Sequence, residues 1–396
     1  MSNGYRCALI SVVLGLIACV GTGCATAPSP EPAPTSPAPA APAAAPPVTA
    51  NGHTVAKKES LATPIKIFYA TDRQRTGKDD PNEYFGNAEA QGLTYGTISV
   101  SIPPSPVHTR GVIERPKWYR LEFSENPKKH IMLLRPVTEL DAPTFFSELH
   151  QDVDRTERKE LFVFIHGFYN SFQDAALRTA QIAYDVGFTG RGGAGVPVMY
   201  SWASNDEAPP LGYTRDRTRV SHTLPRLTQF LTDLAKDTGA SRINIIAHSM
   251  GTDLFGQVIT ELARLKDAPV FNQIILAAPD IDQKVFERDI APKLVTLSER
   301  TTVYTSSGDL ALKTSYEVNG ERRVGDSTNG PLVVKGVETV DVSKVDFGLI
   351  GHSTYAEARP VLEDMFLLLA HGLPASKRNL PSESSAKGLK YWVVPQ

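Results

Sequence analysis

The stretch INIIAHSMGTDLFG, residues 243–256, decides how this chain is read. Ile243, Ile245 and Ile246 are apolar and β-branched, the composition of a buried strand. Ala247-His248-Ser249-Met250-Gly251 follows, and then a run with helical spacing. A strand that bends at once into a helix, with a serine at the bend, has two explanations. Either a sharp turn lifts the serine clear of the sheet, where its hydroxyl can act as a nucleophile, or the serine only caps the helix. The turn is usually written G-x-S-x-G. Here its first position is Ala247, still small enough for close contact between strand and helix.

Outward from this segment the chain alternates. LFVFIHG (161–167) is a wholly apolar strand and 171–187 a helix, with Phe172, Ala176, Ala180, Ala183 and Val186 on one stripe and Gly187 as its stop. VPVMYSW (196–202) is a strand, and 213–238 is helical despite Pro225. The central strand 242–247 leads into a helix ending near Leu265. FNQIILAAPD and TTVYTSSGD are further strands, separated by the amphipathic segment 282–297. VETVDVSK (337–344) reads as the last strand and 356–370 as the final helix. Before the alternation, 65–72, 95–103 and 129–136 read as strands and 142–153 as a helix. The Gly-rich 190–195 is a loop, because it precedes a strand instead of opening a helix. Apolar strands separated by helices predict an α/β fold, a mostly parallel central sheet with helices on both faces. Ligands of such sheets sit at the carboxyl ends of the strands.

Those ends carry a set of groups with one chemistry. His166-Gly167-Phe168 follows the first apolar strand, and Ser249 follows the second. Asp309 follows TTVYTSS, and His352 lies in the loop between the last strand and the last helix. A serine hydroxyl is a weak nucleophile until an imidazole takes its proton, and a carboxylate fixes the imidazole's tautomer. The backbone N–H groups of Phe168 and Met250 are the expected oxyanion donors. Asp280, in APDID, is the alternative acid, with turn formation and capping as the structural role for that cluster. Of the nine histidines, only His352 occupies the loop after the last strand, just before a capping-box pattern at Thr354 and Glu357.

Composition narrows the field. With 396 residues, 41% hydrophobic and 21% charged, the chain is ordinary for a globular protein. Lysine plus arginine is 41 against 43 acidic residues, so nothing points to nucleic acid as a partner. All three cysteines lie in the first 24 residues, which leaves no thiol or disulfide chemistry beyond them. No H-E-x-x-H or comparable metal-ligand spacing occurs, and no cofactor or metal is expected. Arg6 followed by the apolar run 7–20 reads as a signal peptide over 1–24. LIAC, ending at Cys19, resembles a lipobox, and GTGC, ending at Cys24, is a second candidate for lipidation. Residues 25–63 are a Pro/Ala-rich linker, 64–372 the folded domain and 373–396 a C-terminal tail. The expected location is the cell envelope, lipid-anchored to the membrane. If the cell is Gram-negative, the absence of Asp after either cysteine resembles outer-membrane sorting.

Taken together, IKIFYATDRQ, LFVFIHGFYNSFQDAALRTAQIAYDVGF, VPVMYSWAS, INIIAHSMGT, IILAAPDID and VYTSSGDLAL resemble the bacterial α/β-hydrolase family of unknown function, many of whose members are exported proteins or lipoproteins. The resemblance spans roughly 65–370. It implies an α/β-hydrolase fold with Ser249, Asp309 and His352 as the triad, and no particular substrate. The expected activity is serine hydrolysis of carboxylic esters through an acyl-enzyme, acting on a small-molecule or lipid-like ester. Thioesters, amides and acyl transfer use the same triad, and a non-catalytic binding protein on the same fold is the alternative from another class. Only about twenty residues separate the two strands where many lipases insert an apolar lid, which favours small or soluble esters.

Overall fold

The computed structural model describes residues 62–395, apart from 118–121, 123, 191, 206, 208–209, 310, 313–314, 317–319 and 346–357. The chain divides into two units, 1–57 and 58–396, and every described residue belongs to the second. Cys19, Cys24, His352 and the capping pattern at 354–357 lie outside the described residues.

The strands are β1 (Thr63–Arg75), β2 (Phe85–Ile102), β3 (Met132–Leu140), β4 (Glu160–Ile165), β5 (Gly195–Ser201), β6 (Arg242–His248), β7 (Phe271–Ala277), β8 (Ser298–Thr305), β9 (Glu338–Asp341), β10 (Ser382–Ser384) and β11 (Lys390–Val393). They form a sheet in the order β10-β11-β9-β8-β7-β6-β4-β5-β1-β2-β3. Every pairing from β1 through β5, β4, β6, β7, β8 and β9 to β11 is parallel. Antiparallel pairing is confined to the two margins, β1–β2–β3 and β10–β11. The helices are α1 (Ala142–Asp154), α2 (Phe172–Val186), α3 (Leu211–Asp237), α4 (Met250–Leu262), α5 (Gln283–Val285), α6 (Ala291–Leu297) and α7 (Arg359–His371). A π turn, Phe286–Ile290, joins α5 to α6.

The period-two alternation of a strand divides the interior into two cores. Phe162 and Phe164 of β4 face one side, with Ala176 and Leu177 of α2 and Val361 and Met365 of α7. Leu161, Val163 and Ile165 face the other, with Leu149 of α1, Phe230 of α3, Leu254 of α4 and Leu294 of α6. Each buried Leu, Ile, Val, Phe or Met side chain contributes about 1.5–3 kcal/mol before conformational entropy is counted. Local signals set the helix ends. Asp141 accepts from the Thr144 N–H to cap α1, Ser171 and Asp174 form a reciprocal capping box on α2, and Gly187 ends α2 in the left-handed region.

Two expectations about strands need correcting. Residues 337–344 are not the last strand, because β11 pairs in parallel with β9, Trp392 opposite Val340. β2 also begins ten residues earlier than its apolar part suggests, since the polar FGNAEAQGL continues the antiparallel pairing with β1. The 282–297 segment covers the sheet, with Phe286, Ile290 and Leu294 in the second core.

The parallel register aligns the carboxyl ends. Ile165 is opposite Ala247, Ala247 opposite Leu276, and Leu276 opposite Val303. The turns after β4, β6, β7 and β8 therefore emerge along a single edge.

Candidate active site

Ser249 follows β6 directly with φ 52° and ψ −126°, a backbone conformation that non-glycine residues seldom adopt. Its position is the N-cap of α4, yet its side chain makes no capping hydrogen bond. The capping explanation therefore fails for this serine. Its backbone is pinned on both sides: Ser249 N–H donates to Ala277 O at 2.9 Å, and its carbonyl accepts from Thr252 N–H at 2.9 Å and Thr252 Oγ1 at 2.6 Å. Two glycines make room for the bend. A Cβ on Gly251 would lie 2.7 Å from Ile165 O and nearer still to His166 O, and one on Gly167 would lie 2.7 Å from Ser249 Cβ. Neither contact is tolerable. Ala247 is fully buried beside them, so the alanine in place of the usual glycine fits.

Phe168 comes one residue after that contact, on the turn that packs against the bend. Met250 is the first residue of α4, and the first N–H groups of a helix have no partner within it. The turn carrying Phe168 is braced from below. Asn170 Nδ2 donates to Phe168 O at 2.8 Å, and the Asn170 carbonyl accepts from Arg73 Nη2. Arg73 is buried at the end of β1, and it also donates to Ser201 Oγ at 2.9 Å, Ser204 O at 3.1 Å and Asn87 Oδ1 at 3.0 Å. Burial lowers its pKa to about 10, which leaves it charged at neutral pH. Asp72 faces the opposite way and holds the turn after β5, accepting from Ala203 N–H at 2.8 Å.

Asp309 is buried in the turn after β8, with one carboxylate oxygen accepting from Ala311 N–H at 3.0 Å and Leu312 N–H at 3.1 Å. Asp280, the alternative acid, is placed differently. Its Oδ2 accepts from Tyr213 OH at 2.8 Å, and its Oδ1 accepts from Ser315 Oγ at 2.6 Å and lies 3.2 Å from Arg323 Nε. Both oxygens are thus engaged by described partners. Burial, with the Asp280 charge adding to it, pushes the Tyr213 phenol up to about 12, so it remains a donor. The backbone of Asp280 reaches Ser249 O through its N–H at 3.5 Å. Residues 323–325 lie alongside, Val324 N–H donating to Ile281 O and Gly325 N–H to Pro279 O, each at 2.9 Å.

His166 is buried and stacked on Trp202, ring centroids 5.3 Å apart, with its Nδ1 2.9 Å from Gly167 O. Burial, aided by the Arg73 charge, lowers its pKa to about 3, so it stays neutral. Among the described residues, no group of three or more His, Cys, Asp or Glu could hold a metal ion. No helix among them is long and apolar enough to cross a membrane. A cavity of about 700 Å³ opens at the other end of the strands, lined by Arg158, Arg242 and Arg300. Those guanidinium groups are already engaged, by Ala370 O, by Glu160, and by Glu338 and Gly372 O respectively.

Sequence reasoning did not assign Arg73, Asn170, Tyr213 or Arg323. The available signal was an Asp-Arg pair at the end of an apolar strand, in IKIFYATDRQ, where a solvated charge is unexpected.

A sequence model for an alpha/beta hydrolase family of unknown function (DUF900) matches residues 143–370. No curated protein matches the chain. Among solved structures, similarity extends to a protein of Lactobacillus plantarum WCFS1 described as a cell surface hydrolase, at 13% identity over 56% of this chain and 95% of that one, TM-score 0.33. A lipase-esterase related protein from Clostridium acetobutylicum ATCC 824 is 12% identical over 52% of this chain and 93% of its own, TM-score 0.29. The phospholipase PlaB from Legionella pneumophila, in complex with thio-NAD, is 10% identical over 60% and 67%, TM-score 0.28. Likeness at this level does not bear on what this chain acts upon.

Proposed function

In a chain that belongs to the alpha/beta hydrolase family of unknown function DUF900, we propose a serine hydrolase that cleaves carboxylic esters through an acyl-enzyme. The observation that carries this reading is the conformation of Ser249, held at φ 52° on the edge where the strand turns emerge and not used as a helix cap. Strain of this kind costs about 1–3 kcal/mol and persists where the surroundings enforce it.

The Ser249 hydroxyl attacks the ester carbonyl while His352 takes its proton, and Asp309 steadies the imidazolium. The Met250 and Phe168 N–H groups receive the oxyanion, and loss of one such donor typically costs about a hundred- to a thousandfold in rate. Collapse of the tetrahedral species expels the alcohol, which leaves with the proton from His352. Water then repeats the sequence on the acyl-enzyme and releases the acid. Thioesters and amides, or an acceptor other than water, would use the same steps. Lipidation at Cys19 or Cys24 would keep this chemistry at a membrane of the cell envelope.

Treatment of the full-length protein with a fluorophosphonate probe tests the nucleophile. An adduct mapped to Ser249, missing in Ser249→Ala and strongly reduced in His352→Ala, supports the hydrolase. A folded protein that takes no label turns the reading to a binding module. The anchor is tested separately, by the mass of the N-terminal peptide from membranes of cells carrying Cys19→Ala or Cys24→Ala.

A further inference from the structure

Gly167 sets a conflict between space and order. A Cβ there would lie 2.7 Å from Ser249 Cβ and 2.9 Å from His248 O, so only glycine fits against the bend. Glycine, however, leaves the peptide unit that follows it free to turn over. That unit joins the Gly167 carbonyl to the N–H of Phe168, the proposed oxyanion donor. The carbonyl and N–H of a trans peptide point in opposite directions, so a group that holds one aims the other. The Phe168 N–H has no hydrogen-bond partner among the described residues, whereas the Gly167 carbonyl is held.

His166 is the group that holds it. Its Nδ1 lies 2.9 Å from Gly167 O, and Asn170 Nδ2 is a longer second donor at 3.5 Å. A carbonyl only accepts, so Nδ1 carries the proton and Nε2 offers a lone pair. Ser201 Oγ, 3.4 Å from Nε2, is placed to donate to it, and the same oxygen accepts from Arg73 Nε at 2.9 Å. The bonds thus run in one direction, from Arg73 through Ser201 and His166 to the Gly167 carbonyl. Trp202 grips the histidine twice: its ring stacks on the imidazole, 8° from parallel, and its Nε1 donates to His166 O at 2.8 Å. Burial keeps the imidazole neutral, its pKa lowered to about 3, so the tautomer does not change near neutral pH.

We propose that His166 is the positioning residue of the oxyanion turn: it fixes the Gly167–Phe168 peptide so that the Phe168 N–H stays directed at the developing oxyanion. The assignment rests on the serine hydrolase reading. It gives the buried histidine a task other than proton transfer, which that reading leaves to His352. A donor misaimed without being removed costs about ten- to a hundredfold in kcat, because its bond strengthens only as the oxyanion forms.

The test compares the full-length wild type with His166→Leu, which removes the donor, and His166→Asn, whose amide restores an N–H close to where Nδ1 stood. Two quantities are read: kcat and KM on p-nitrophenyl acetate, and inhibition by a trifluoromethyl ketone, which an active serine converts to a tetrahedral oxyanion. For His166→Leu the expected result is a fall in kcat of about ten- to a hundredfold, KM within about twofold, and inhibition weakened in parallel with kcat. His166→Asn should recover kcat to within about fivefold of wild type. Unchanged kcat and inhibition in His166→Leu overturn the assignment and leave the hydrolase standing. So does a shift of about one pH unit or more in the midpoint of kcat/KM in His166→Asn, since aiming a donor leaves the titration of the base alone. If neither variant folds, nitrogen NMR of wild type labelled at histidine decides, the His166 signal being assigned through its displacement in Ser201→Ala. An Nδ1–H ring unchanged between about pH 5 and 9 supports the assignment, and an Nε2–H or titrating ring overturns it. Turnover of no ester by wild type, with no fluorophosphonate adduct at Ser249, overturns both readings together.

Discussion

Asp280 and Arg323 form an ion pair at 3.2 Å in which both side chains are only 3% exposed. Ser315 and Tyr213 share it, and through the Asp280 N–H it reaches the carbonyl of Ser249. The pair fastens the segment after β8 to the turn after β7, next to the bend. Removing one partner leaves a charge stranded in the interior. Arg323→Met should therefore lower unfolding stability by about 3–5 kcal/mol, and Asp280→Asn combined with Arg323→Met by clearly less than the sum of the single changes. Urea denaturation of the four proteins checks this, and strict additivity would remove the pair from the explanation.

The strain at Ser249 has a measurable counterpart. Glycine accepts φ 52° without cost and alanine does not. Ser249→Gly should be more stable than Ser249→Ala by about 1 kcal/mol or more, with both inactive. Thermal midpoints of the two variants decide it. Equal midpoints would mean that the bend is not strained.

Arg73 reaches the turn of the proposed oxyanion donor Phe168 through Asn170, so on that proposal its loss should displace the donor without touching Ser249. For Arg73→Met the expected change is a fall in kcat on the order of a hundredfold with KM little altered. Arg73→Lys should not restore it, because an ammonium cannot span the same set of oxygens. Fluorophosphonate labelling of Ser249 should slow in parallel. Unchanged kcat in a folded Arg73→Met protein would leave the residue with a structural role alone.

His108 supplies a pH signature away from the site. Burial opposes its charge, but hydrogen bonds at 3.1 Å to Asp185 and 3.0 Å to Glu114, with the charges of both, raise its pKa to about 9. The folded state binds this proton more tightly than the unfolded chain does. The stabilisation is therefore complete below the unfolded pKa near 6.5 and is lost as pH rises through about 9. Its ceiling is roughly 3 kcal/mol. Denaturation midpoints of wild type should fall between pH 7 and 9.5, and His108→Gln should flatten that slope.

Much of this architecture is legible in the sequence because burial writes itself into composition. β4, β5, β6 and β7 are covered on both faces, so their residues are mostly apolar, and the serine stands out just beyond the apolar run of β6. β11 has four residues and lies near the sheet margin, Tyr391 and Val393 buried on one face and Trp392 packed on the other, too short a pattern to separate from a tail. The polar half of β2 pairs through its backbone with residues 73 and 75, and a backbone ladder leaves no side-chain trace. Ser249 and Asp309 are legible as candidates because strand ends can be counted. Arg73 is not, since its partners at 87, 170, 201 and 204 converge only after folding.

The placement of Arg73 bears on how this protein can be divided. The family match begins at residue 143, while Arg73 lies near the end of β1, some seventy residues upstream. A fragment cut at the family boundary would retain Ser249 and the strands that bend around it, yet leave β5 as a raw edge and the Phe168 turn without its brace. The matched region therefore leaves out a strand and a side chain that brace the candidate site. In the serine hydrolase proposed here, β1 would thus set turnover from outside the matched region without contributing any residue of the proposed triad.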